Sequence, residues 1–161
     1  MIIAFGKLVT EFLLDYQLVI AGKKDSFHKN LETAVDETGL QSRVIFTDYL
    51  DDRALAGLYK RASLYVFRSL SEGFGLPPLE AMAHNVPVAS SNATCLPEVL
   101  GDAAEYFDPK DIQDMSRAML AVLTDQALSS SLIKKGKAQI KKYDWKKTAK
   151  QTLAIYENTQ K

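Results

Sequence analysis

The chain of 161 residues is poor in the features that mark several protein classes. It has one cysteine, Cys95, which excludes an internal disulfide framework and a cysteine-rich zinc site. It has no charge excess: 20 Lys+Arg stand against 20 Asp+Glu. A dedicated nucleic-acid binder would show a basic surplus, so nucleic acid is not expected as a partner. No apolar run approaches the roughly 18 residues needed to span a bilayer, and no transmembrane segment is expected. The start, Met1-Ile2-Ile3-Ala4-Phe5-Gly6-Lys7, has no basic stretch ahead of an apolar one and does not read as a signal peptide, so a cytoplasmic location is the default. Internal repeats, low-complexity tracts and flexible linkers are missing. His28 and His84 lack metal-ligand spacing and read as surface or helix-end residues, and no metal is expected.

What is present is an ordinary globular composition, 47% hydrophobic and 25% charged. The length predicts one domain, 1–161, large enough to bury roughly 70% of its unfolded surface. Helical spacing of Ile2, Phe5, Val9, Phe12 and Leu13 predicts a helix over 1–14. Leu18-Val19-Ile20-Ala21, stopped by Gly22, reads as a buried strand. A helix over 26–38, carrying Phe27, Leu31, Ala34 and Val35, ends at Gly39. Val44-Ile45-Phe46 is a second strand, followed by a helix capped by Asp51 or Asp52 with Leu55, Leu58, Tyr59 and Ala62 on its buried side. Leu64-Tyr65-Val66-Phe67, Val86-Pro87-Val88-Ala89 and Ala104-Glu105-Tyr106-Phe107 complete five strands. From Asp111 onward the pattern is helical, ending in a helix begun by Asp144 and marked by Trp145, Leu153 and Tyr156. Seven lysines between Lys134 and Lys147 read as a solvated face, with an anionic-ligand or membrane patch as the alternative. Alternation of strand and helix implies an α/β fold: a Rossmann-like, doubly wound, mainly parallel sheet with helices on both faces. Ligands of such sheets sit beyond the C-terminal strand ends, which directs attention to the loops at 22–26, 48–52, 68–77 and 90–98.

The 68–77 loop carries the chemistry. It reads Arg68-Ser69-Leu70-Ser71-Glu72-Gly73-Phe74-Gly75-Leu76-Pro77-Pro78-Leu79-Glu80. Gly73 and Gly75 allow close backbone approach to a ligand. Prolines suit the first turn of a helix, whose free N–H groups and partial positive charge suit a phosphate. Glu80, in that first turn, is an acceptor suited to a vicinal diol such as a ribose, and Glu72 to sugar hydroxyls. Gly73-Phe74-Gly75 lacks the third glycine of a dinucleotide fingerprint. Lys23 and Lys24 after the first strand argue against a receiver-like domain; solvent exposure is their simpler reading, with a diphosphate contact as the alternative. Cys95 reads as a buried or loop thiol, and Glu98 as a helix cap or loop-fixing residue. A hydrolytic carboxylate pair fits the glycine turn less well than a phosphate site does.

The stretch Glu72-Gly73-Phe74-Gly75-Leu76-Pro77-Pro78-Leu79-Glu80-Ala81-Met82-Ala83 resembles the paired-glutamate signature of retaining glycosyltransferases of family 4, the group 1 glycosyltransferases. The resemblance extends through Val86–Ser91, Leu96–Ala104, Val44–Leu50 and Asp144-Trp145. It implies the C-terminal, nucleotide-sugar-binding domain of a two-domain GT-B fold. It implies that Glu72 holds the donor sugar as the catalytic residue, that the backbone of Gly73, Phe74, Gly75 and Leu76 lies along sugar and phosphates, that Glu80 takes the ribose, and that Tyr49 and Leu50 lie near the base. Arg68, standing where the family commonly has proline, is placed to reach a phosphate; solvent exposure is its alternative. Asp48 replaces a usual glycine. The donor expected is a nucleotide-diphosphate sugar, UDP-sugar before GDP-sugar, with no metal cofactor. The first strand of the family's domain and its Gly-Arg loop have no counterpart. That strand lies between those at 18–21 and 64–67, whose edges are therefore expected to be unpaired. The partners implied are the donor, an acceptor domain or partner chain, and a second copy joined through sheet edges as a homodimer. A non-catalytic assembly module or an inactive fragment is the alternative function.

Overall fold

The computed structural model describes residues 1–23 and 28–159. Lys24, Phe27 and the rest of the 24–27 stretch fall outside the described residues. Helices α1 (Ile2–Thr10), α2 (His28–Thr38), α3 (Asp52–Arg61), α4 (Leu76–Ala83), α5 (Leu96–Leu100) and α6 (Ile112–Thr124) alternate with strands β1 (Leu18–Ala21), β2 (Val44–Thr47), β3 (Tyr65–Phe67), β4 (Val88–Ser91) and β5 (Ala104–Phe107); α7 (Gln126–Gln139), a 3-10 turn over Ile140–Lys142 and α8 (Trp145–Thr159) follow.

Every strand pair is parallel, as the β–α alternation requires. The strands do not form one sheet. β1 pairs with β2, and β3-β4-β5 form a second sheet. The break falls between β1 and β3, the two strands whose edges the sequence left open. Each therefore keeps one row of unpaired backbone groups, and all three residues of β3 are only half-buried while all four of its neighbour β4 are buried.

Both sheets rest on a shared core. Leu18, Ile20 and Phe46 from the first sheet and Leu64 and Val66 from around β3 pack with Ile2, Phe5 and Leu8 of α1, Val35 of α2 and Met115, Ala118 and Met119 of α6. Ser116 donates to the Ala4 carbonyl at 3.2 Å, fixing α6 against α1. The other face of the second sheet, through Val88 and Ala104, packs on Leu79 and Met82 of α4, Leu96 and Leu100 of α5 and Ile140. Alternation along β4 sends Val88 to one core and Ala89 to the other.

Local chemistry sets most boundaries. The Asp51 carboxylate caps α3 through the Ala54 N–H at 2.7 Å, and Asp111 and Asp125 cap α6 and α7 in the same way. Several boundaries differ from expectation; β2 runs on to Thr47 and β3 starts at Tyr65, one residue each, and two differences are larger. α1 stops at Thr10, and Leu13 takes a left-handed φ of 53° in the turn that follows. β4 starts at Val88, two residues late: Pro87 has no N–H for the ladder, though its carbonyl accepts from Tyr65 N at 3.0 Å. No residue of α8 is buried. Among the described residues no helix is long and apolar enough to cross a membrane.

Candidate donor-binding site

The glycine loop leaves β3 at Phe67 and enters α4 at Leu76, on the side of the sheet where the parallel strands end. Gly75 is the N-cap residue, with φ 88° and ψ 58°, a left-handed conformation that a side chain resists. A Cβ there would lie 2.6 Å from Leu96 Cδ2, so α5 occupies the volume any larger residue needs. Gly73 differs: a Cβ there meets nothing within 4 Å, and its peptide is open to a ligand. Pro77 and Pro78 occupy early positions of α4 without losing a hydrogen bond.

Starting at Leu76, the helix moves Glu80 from the expected first turn to the fifth position, and no acidic residue lies in the first turn. The left-handed cap at Gly75 begins the helix one residue before the prolines and causes this shift. Glu80 remains on the exposed side of α4. Its Oε2 accepts the Tyr59 hydroxyl at 3.4 Å. Glu72 is half-buried, and its peptide is held from both sides: its N–H donates to Thr94 Oγ1 at 3.3 Å, and its carbonyl accepts the Cys95 thiol at 3.3 Å. Thr94 adopts a left-handed φ of 53° in doing so. The loop after β4 thus sets the loop after β3.

Phe74 is 40% exposed and meets Tyr143 edge-on, with ring centroids 5.3 Å apart. Phe74 and Leu76 line a cleft of about 210 Å³ shared with Tyr143, Trp145 and Lys147. A wider concavity of about 480 Å³ runs along α3 past Arg53, Gly57 and Arg61, and shares no residue with the glycine loop. Arg68 spends its Nε on the Pro109 carbonyl at 3.1 Å while its side chain stays at the surface. Tyr49 is 79% exposed and Leu50 half-buried, in the loop after β2 on the other sheet; the Asp48 carboxylate accepts the Tyr49 N–H at 2.8 Å. No cluster of three or more metal-ligating side chains occurs among the described residues.

Sequence reasoning placed Tyr59 on the buried side of its helix and Tyr65 in a strand, and passed over their hydroxyls. The signal was there: a phenol on the apolar face of an amphipathic helix needs a hydrogen-bond partner once buried. The clamp by Thr94 and Cys95 left no local signal, because it joins residues 22 and 23 positions apart.

Residues 1–139 match the family described as glycosyl transferases group 1. The serotype-specific mannosyltransferase WbdA of Escherichia coli is 40% identical over 148 residues, which is 91% of this chain and 18% of that protein. The O-antigen chain mannosyltransferase B of Escherichia coli is 35% identical over 153 residues, 95% of this chain and 40% of that protein. Among solved structures, sucrose-phosphate synthase from Thermosynechococcus elongatus superposes with a TM-score of 0.86 at 26% identity, over 98% of this chain and 41% of its own. The chain thus spans between a fifth and two fifths of the length of these relatives. With a family match over most of its length, and with the parallel α/β architecture that the relatives share, the chain belongs to the glycosyl transferases group 1 family.

Proposed function

We propose that residues 1–161 act as one unit, the nucleotide-sugar-binding domain of a retaining glycosyltransferase. The observation that carries this reading is the loop from Glu72 to Gly75, with an open peptide at Gly73 and a left-handed Gly75 leading directly into α4. In this reading the donor's diphosphate lies along Gly73, Phe74, Gly75 and Leu76, against the free N–H groups and partial positive charge of α4. Glu80 accepts the ribose hydroxyls, Glu72 accepts hydroxyls of the donor sugar, Tyr49 and Leu50 flank the base, and Arg68 offers its remaining guanidinium N–H groups to phosphate. The bond from the anomeric carbon to the diphosphate breaks, the diphosphate leaves with its charge, and the acceptor oxygen joins the same face of the sugar as its proton passes to an oxygen of the leaving diphosphate. Preorganised donors facing the leaving diphosphate lower the barrier because the charge develops there. The acceptor comes from a second domain or a partner chain, so the isolated chain binds donor without efficient transfer.

The mannosyltransferase relatives favour mannose as the sugar. The base is assigned by calorimetric titration of the chain with UDP and GDP in parallel. Tighter UDP binding upholds the UDP expectation, and tighter GDP binding replaces it. Glu80→Ala weakens the nucleotide. Glu72→Ala leaves the nucleotide and weakens the sugar part of the donor. Equal losses from both substitutions would overturn these roles.

A second reading rests on the open edges of β1 and β3: a module that assembles as a homodimer by edge pairing. Light scattering coupled to size-exclusion chromatography decides it. A monomer at high concentration removes this reading.

A further inference from the structure

Glu80 projects from an exposed helix face, where a glutamate samples several rotamers and loses that freedom on gripping a ligand. Here one oxygen is already engaged by Tyr59, which reaches across from α3. Tyr59 is 6% exposed, and its ring is held on two sides. Tyr65 meets it edge-on with centroids 5.6 Å apart, and His84 stacks on it at 5.2 Å and 22°. His84 is tied in turn to α4: its Nδ1 lies 2.9 Å from the Glu80 carbonyl oxygen. The ring cannot turn without disturbing α3, β3 and α4 together. Burial, and then the Glu80 charge, push the Tyr59 phenol up to about 12, so it keeps its proton and stays a donor at neutral pH. The Tyr65 hydroxyl adjoins it and feels the charges of both Glu80 and Glu72. A carboxylate offers about four acceptor positions, so one bond to Tyr59 leaves enough for a vicinal diol.

We propose that Tyr59 is a positioning residue: its hydroxyl holds the Glu80 carboxylate in one rotamer, with the free lone pairs presented to the ribose diol of the donor nucleotide. This rests on the donor-binding reading of Glu80. Core packing is the competing explanation for Tyr59, and it makes different predictions, because packing does not sense which hydroxyls the ligand carries.

The test is calorimetric titration of the full chain with UDP and GDP and with their 2′-deoxy analogues. Tyr59→Phe keeps the ring and removes only the hydroxyl. It weakens the bound ribonucleotide about 5-fold, which is about 1 kcal/mol: what an ordinary hydrogen bond contributes and less than a well-formed one to a charged group, as suits a 3.4 Å contact. It weakens the 2′-deoxy analogue less, and it adds nothing in the Glu80→Ala background. Glu80→Gln gives an independent check, since it leaves the Tyr59 hydroxyl and ring in place: with one acceptor oxygen in place of two, it reproduces the loss and is non-additive with Tyr59→Phe. An equal loss on ribo- and 2′-deoxynucleotide, additivity with Glu80→Ala, or no loss at all would overturn the positioning role while leaving the donor reading intact. Failure of the unsubstituted chain to bind either nucleotide would overturn the donor reading and this inference with it.

Discussion

Gly75→Ala should separate the structural and ligand-binding duties of the two loop glycines. The alanine meets two penalties. At φ 88° and ψ 58° an L-residue is in left-handed backbone space, at roughly 1–2 kcal/mol. Its Cβ would also sit 2.6 Å from Leu96 Cδ2, and Leu96 is fully buried, so it can shift only by displacing its own packed neighbours. Overpacking of this kind costs about 1–3 kcal/mol. The sum is about 2–5 kcal/mol, a large part of the ~5–15 kcal/mol that holds a domain folded. In urea, with a slope of about 1–3 kcal/mol/M, the midpoint should fall by on the order of 1–2 M. Gly73→Ala provides the contrast. Its Cβ meets no atom within 4 Å, so stability should change by less than about 0.5 kcal/mol. Nucleotide binding should nevertheless drop about tenfold or more, because the methyl group stands where the diphosphate would lie. Equal midpoints for Gly75→Ala and the unsubstituted chain would refute the steric argument. Unchanged nucleotide affinity in Gly73→Ala would refute the backbone-approach argument.

Other consequences are open to direct measurement. Asp111→Ala removes the acceptor for the N–H groups of Gln113 and Asp114 and should cost about 1 kcal/mol in a urea titration. Removal of α8 should move the midpoint by less than about 1 kcal/mol, since none of its residues is buried and a lone helix of this length adds little in water; Trp145, 77% exposed, should show water-like fluorescence that hardly shifts on unfolding. Alkaline pH should destabilise the fold: burial raises Tyr59 and Tyr106 to about 12 from 10, so between those values the unfolded chain holds fewer protons than the folded one. Stability is complete below pH 10 and falls as pH rises towards 12; Tyr106→Phe should flatten part of that slope in thermal melts across the range.

Much of the fold was legible locally. β1 and β5 fall on the predicted residues because short apolar runs bounded by glycine, aspartate and proline mark strands in α/β chains. The caps at Asp51, Asp111 and Asp125 announce helix starts through a single side chain bonding its own next turn. Glu80 was placed one position too early in the helix because the glycine cap, and not the prolines, begins α4. The glutamates, glycines and prolines of the loop were visible because their chemistry depends on sequence spacing over eight residues.

The sequence by itself determined the alternation of strands and helices and the parallel sense of the pairing, since both follow from periodicity and short-range turn signals. Only the tertiary structure decided where the sheet divides, because strand pairing is a long-range competition for backbone partners. It alone brought Thr94 and Cys95 to the two faces of the Glu72 peptide, turned Leu96 into the reason Gly75 must be glycine, and set Tyr59 against Glu80. Those contacts join residues about 20 positions apart, and no local propensity encodes them.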